Sequence, residues 1–155
     1  MMPKFVFQLD GVLRQRENLE QQRQRELAVA QARFQQMDAE LRAMDRAVKD
    51  ATADVRQHHL RGVLNMAYLA AHRRYTLAVE RKAMTLIQRM AIAQRQVDDA
   101  RAKLAEAAKD RKVIEKLREK QYERWREAVA RRELADLDEV NMQLSYQEIR
   151  QQETE

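Results

Sequence analysis

Cysteine is absent from this chain, which excludes a disulfide framework and thiolate metal sites. Proline occurs once and glycine twice in 155 residues. With so few breakers few turns are possible, and long helices are the default. Aromatic residues make up 5% of the chain and charged residues 35%. That balance suits a coiled coil better than a globular core. No apolar run approaches the ~18–20 residues that span a bilayer. Phe5-Val6-Phe7 is too short for the apolar core of a signal peptide, so a cytoplasmic protein is expected.

Chemistry-bearing motifs are missing as well. There is no Gly-rich phosphate loop, no Ser/His/Asp set in a plausible cleft and no metal-ligand spacing. His58 and His59 are neighbours, and adjacent helical residues point ~100° apart. No carboxylate or third histidine is read at a useful spacing from them. The expectation is a protein with no catalytic residues, no metal and no cofactor: not an enzyme.

What is present is a stripe. From Met66 to Ala107, apolar or small residues recur every three or four positions: Leu69, His72, Thr76, Val79, Ala83, Leu86, Met90, Ala93, Val97, Ala100, Leu104 and Ala107. One such stripe on a long helix needs a partner helix. Upstream, Leu27, Ala30, Phe34, Met37, Leu41, Met44, Val48, Ala51 and Val55 supply it. Gly62, the only glycine away from the N-terminus, lies between the two runs and provides a left-handed helix stop. The fold class expected is all-α: one domain over residues 1–155, two long helices in an antiparallel coiled-coil hairpin. The expected bounds are helix one about 9–58, tip about 59–65, helix two about 66–146 and a disordered tail about 147–155. Asp10 is the candidate N-cap. His72 falls on the stripe as a buried polar register marker.

Folding about Gly62 pairs Val55 with Leu69, Val48 with Thr76, Leu41 with Ala83, Phe34 with Met90 and Leu27 with Val97. Helix one then reaches only to about Lys112, and the longer second helix overhangs by ~30 residues, ~45 Å of helix. Toward this base the stripe of helix one turns polar, with Arg23, Glu20 and Arg16 at apolar positions. Either this end is a solvated, fraying coil, or a larger protein encloses it. On the overhang, Tyr122, Trp125 and Val129 form one apolar patch, where the heptad phase slips, and Leu134, Leu137, Val140 and Leu144 form another. They are partner surfaces, or Phe5-Val6-Phe7 folds back and covers them.

Charge is unevenly spread. Residues 61–132 carry 19 basic and 9 acidic groups, net +10, whereas residues 133–155 carry 1 and 7, net −6. Such asymmetry points to charged partners. The Lys and Arg residues are distributed around the helix with acids among them, and no nucleic-acid reader motif is present, so nucleic acid is not the expected partner. A basic coiled coil that binds nucleic acid or an anionic membrane is nevertheless the rival from a different class. Its binding would collapse between low and physiological salt.

Several stretches together resemble the FliJ family of flagellar type III export proteins. They are Lys4-Phe5-Val6-Phe7-Gln8-Leu9 with Val12-Leu13 and Arg16-Glu17 at the start, Tyr75 early in helix two, the run Arg111-Lys112-Val113-Ile114-Glu115-Lys116-Leu117-Arg118-Glu119, then Glu133, then Leu137-Asp138-Glu139. The resemblance implies a stalk like the central subunit of rotary ATPases. Such a stalk docks in the hexameric export ATPase, promotes its assembly and couples it to the membrane export-gate protein, with contacts to export chaperones. It implies a peripheral location at the cytoplasmic face of the inner membrane at the flagellar base, held there through partners. The stalk of a virulence injectisome is the alternative within the class. By the resemblance, the ATPase end comprises Arg14, Arg16, Arg111, Glu115, Arg118, Glu133, Asp138 and Glu139, to which the apolar patch on the overhang adds Trp125. The gate-binding end comprises Met44, Val48, Tyr68, Tyr75 and Val79.

Overall fold

The computed structural model describes residues 4–152. It contains two long helices that pack against each other, the second much the longer, with no strand among the described residues. Helix α1 spans Asp10–Asp54 and continues as a one-turn π-helix, Val55–His59; helix α2 spans Met66–Gln152. The chain divides into two compact units. One joins the chain ends, up to Asn18 and from Ala108 onward; the other is Leu19–Ala107.

In the unit Leu19–Ala107, every position of both stripes turns inward, buried or half-buried, while most of their neighbours are exposed. Val55, Leu86, Ala93, Val97, Ala100 and Ala107 are buried. Alanine dominates this set where the α1 stripe becomes polar. A small side chain needs only an aliphatic stem to cover it, and Arg23 and Glu20 present such stems while keeping their heads wet. Arg23 is half-buried on the stripe and donates from Nη1 to Oε2 of Glu26 at 2.8 Å. The Glu26 carboxyl is held below its usual pKa, first by this hydrogen bond and further by the charges of Arg23 and Lys103. The antiparallel register shows at the other end of the unit, where the Tyr68 hydroxyl donates to Oδ2 of Asp54 at 3.1 Å. His72 is half-buried on the stripe rather than fully buried, because a two-helix seam leaves one side of each residue open to water.

The turn follows from two local features. Gly62 adopts φ +83°, the left-handed conformation, with open space where a Cβ would stand. Asn65 then starts α2: its side-chain oxygen accepts from the Tyr68 amide at 3.1 Å and its carbonyl from the Leu69 amide at 3.1 Å.

In the unit formed by the chain ends, α1 begins at Asp10 itself, so the capping position is Leu9, one residue before the expected cap. The Leu9 carbonyl accepts the Leu13 amide at 2.9 Å. Asp10 lies inside the first turn, where its carboxylate faces the positive helix end and pairs with Arg14 at 3.0 Å. Arg16 donates to Asp110 across the two helices at 3.1 Å. The α2 side chains turned inward continue past Lys112 through Ile114, Gln121, Trp125, Ala128 and Val129, so the heptad phase does not slip at Trp125.

The overhang is therefore shorter than expected. From Ala130 to Gln151 every residue is exposed, but α2 is covered up to Val129 because residues 4–7 are not helical. A non-helical segment advances up to ~3.3 Å per residue against 1.5 Å for a helix, so a few residues cover two turns of α2 or more. The helix also continues to Gln152 instead of stopping near residue 146. The last three residues of the expected tail lie outside the described residues. No helix of the described residues is long and apolar enough to cross a membrane.

Candidate functional site

All of the residues assigned to an ATPase-facing end lie in the unit of the chain ends. The N-terminal segment organises it. Phe7 and Leu13 are buried, Val6 is 74% exposed, and Phe5 turns onto α2. The Phe5 ring meets Tyr122 edge-on, with centroids 5.3 Å apart at 80°, and Trp125 at 5.8 Å and 54°. Tyr122 and Trp125 stack on each other at 5.6 Å. This three-ring cluster covers one of the two patches assigned to a partner. Trp125 is half-buried within the chain, and Tyr122 remains 45% exposed.

The charged candidates beside it are largely engaged. Arg14 pairs with Asp10, Arg16 with Asp110, and Arg111 with Glu115 at 2.6 Å. Arg118 lines a shallow groove with Phe5, Glu115, Glu119 and Tyr122. Glu133, Asp138 and Glu139 are exposed on the continuation of α2. Around them stand Leu134, Leu137, Val140 and Leu144, each more than half exposed. This second patch remains open. At about 100° per residue, the four aliphatics share one face of the helix.

The residues assigned to a gate-binding end all lie in the other unit. Met44, Val48 and Val79 are half-buried on the seam and line a groove with Leu41 and Ala83. Tyr75 and Tyr68 stand off the seam, 43% and 37% exposed. The structure thus separates this group into three packing residues and two displayed rings.

Sequence reasoning missed a cluster at the tip. His58 Nδ1 lies 3.1 Å from Oδ1 of Asp54, and His59 Nε2 lies 3.7 Å from Oδ2. The His59 ring stacks on Tyr68 at 3.8 Å and 22°. The reading that no carboxylate stood at a useful spacing is overturned: Asp54 and His58 are four apart. The π-turn adds the second contact, because its wider pitch places positions four and five residues ahead on either side of one side chain. Asp54 raises the Tyr68 hydroxyl above the usual tyrosine value of 10, mainly by accepting its hydrogen bond. Among the described residues, no group of three or more acidic or histidine side chains stands placed to hold a metal ion.

A family model described as "Flagellar FliJ protein" matches residues 5–150. The chain belongs to the FliJ family. The match runs from the ring cluster at Phe5 through both stripes to the exposed end of α2, so it covers both candidate surfaces. Membership makes this a protein associated with flagellar export. Among curated proteins and among solved structures, none matches the chain.

Proposed function

We propose that this chain is a non-enzymatic stalk of the flagellar export apparatus. The unit of the chain ends docks in the hexameric export ATPase and promotes its assembly. The tip region couples the ATPase to the membrane export gate, and contacts with export chaperones serve the same site of action. The protein works in the cytoplasm and is peripheral to the inner membrane at the flagellar base through these partners.

The observation that carries the reading is the exposed stretch of α2 from Ala130 to Gln151. A single helix that displays Leu134, Leu137, Val140 and Leu144 beside four carboxylates leaves apolar surface in water. A ring with an apolar and basic lining would remove that cost. At the tip, Tyr75 and Tyr68 are the displayed rings available to a gate protein.

The test is the hydrolysis rate of the cognate export ATPase with and without this protein over a range of ATPase concentrations. The stalk reading expects stimulation that is largest where the ATPase alone is too dilute to assemble. Absence of stimulation at every concentration, with the chain shown to be helical, removes it. Tyr75→Ala is expected to impair gate binding while ATPase binding survives.

A further inference from the structure

The outer face of α2 between Met66 and Val97 is unlike the rest of the molecule. Glu80 is the only acidic residue between Asp54 and Asp98. The segment 66–97 carries six Arg or Lys residues: Arg73, Arg74, Arg81, Lys82, Arg89 and Arg95. None of the six forms an ion pair among the described residues, whereas five of the eight Lys and Arg residues of α1 do: Arg14, Arg16, Arg23, Arg42 and Lys49.

These cations are interleaved with exposed aliphatics. Leu77 is 40% exposed, Met84 67%, Ile87 52% and Ile92 58%. Arg73 and Arg74 precede Leu77 by four and three residues. Arg81 stands four after Leu77 and three before Met84, and Arg95 stands three after Ile92. Residues three and four apart are neighbours on a helix surface. Arg74, Leu77, Arg81, Met84, Ile92 and Arg95 thus form a basic and aliphatic stripe on the side of α2 turned away from the seam, while Lys82 and Arg89, seven and fourteen residues after Tyr75, flank it and border with Arg81 a groove that also holds Glu40 and Met44 of α1.

We propose that this stripe lies on an anionic lipid surface, with the arginines on headgroup phosphates and Leu77, Met84 and Ile92 in the acyl boundary. A helix in that position buries its apolar groups ~5–10 Å deep and gains from every cation near the surface. Charge complementarity selects an anionic occupant. Nucleic acid is disfavoured because the stripe offers no aromatic ring for base stacking and would set aliphatics against phosphates. A protein partner is disfavoured because its binding energy concentrates in a central packed cluster, and here the aliphatics are spread along the stripe. The proposal goes beyond a membrane location held by protein partners and stands independently of ATPase docking.

The test is co-sedimentation of the full chain with phosphatidylcholine vesicles, with and without phosphatidylglycerol, at low salt. Binding to the anionic vesicles and not to the neutral ones is expected. Arg74→Gln, Arg81→Gln and Arg95→Gln together should weaken it by on the order of a hundredfold, since each surface cation contributes several-fold. Leu77→Ser with Met84→Ser should weaken it too, with the helical signal unchanged. The control is Arg25→Gln, Arg33→Gln and Arg46→Gln, which removes the same charge from exposed positions of α1 and should leave binding within a few-fold. The proposal is overturned by equal binding to both vesicle types, by equal loss in the control, or by no vesicle binding. Capture of polyglutamate without vesicle binding would assign the face to an acidic protein, and capture of duplex DNA instead would assign it to nucleic acid.

Discussion

Replacing Phe5 by alanine tests the central feature of the chain-end unit. The Phe5 ring is half-buried and touches both Tyr122 and Trp125. Truncating a fully buried Phe costs ~3–5 kcal/mol. Half burial brings the packing loss to about 2 kcal/mol, part of it the two ring pairs, which contribute ~0.5–1.5 kcal/mol each beyond area burial. Trp125 is the only tryptophan, so its fluorescence reports this unit alone. Phe5→Ala should shift Trp125 emission to the red and lower the urea midpoint followed by fluorescence. Circular dichroism sums both long helices and should change less in amplitude. A double-mutant cycle with Trp125→Ala isolates the pair and should give a coupling of about 1 kcal/mol. A coupling indistinguishable from zero, with native-like emission in Phe5→Ala, would refute the packing of the N-terminal segment on α2.

Three further outcomes are expected. Gly62→Ala forces a Cβ into the left-handed region with no steric neighbour, so it should cost about 1–2 kcal/mol in thermal unfolding, and Gly62→Asn less; equal stability would mean that the turn relaxes to another geometry. Tyr68 has a folded pKa raised above 10, so its stabilising contribution is fully present below pH 10 and is lost as pH rises through the higher folded value; Asp54→Asn should return its spectroscopic titration toward 10, and an unchanged titration would remove Asp54 as the cause. Leu137→Asn with Leu144→Asn should weaken binding to the export ATPase and leave helicity intact, whereas a large loss of helical signal would show that this face packs within the chain.

Both helices were readable from spacing because a two-helix seam depends on little else. A residue every three or four positions either faces the partner or does not, and each position of the two stripes turned inward. The length of the overhang was not readable from the heptads. It depends on Phe5, whose segment is not helical and so reaches further along α2 than a register count allows. The tip cluster escaped because it needs a π-turn: at α-helical spacing Asp54 meets His58, but only the wider turn brings His59 to the same carboxylate. The patch at Trp125 and the one at Leu137 look alike as strings of letters. What separates them is a third element, the N-terminal segment, which reaches the first and leaves the second exposed.

Among the described residues eight apolar side chains are buried and no polar one. Most substitutions on such a protein fall on exposed positions, where they change stability by ~0.5 kcal/mol or less. Folding therefore leaves the greater part of the sequence unconstrained. Its polarity gradient, from the acid-poor outer face behind the tip to the carboxylates around Leu137, is information that the hairpin does not need for its own stability. Exposed substitutions can therefore redraw that gradient while the hairpin stays folded.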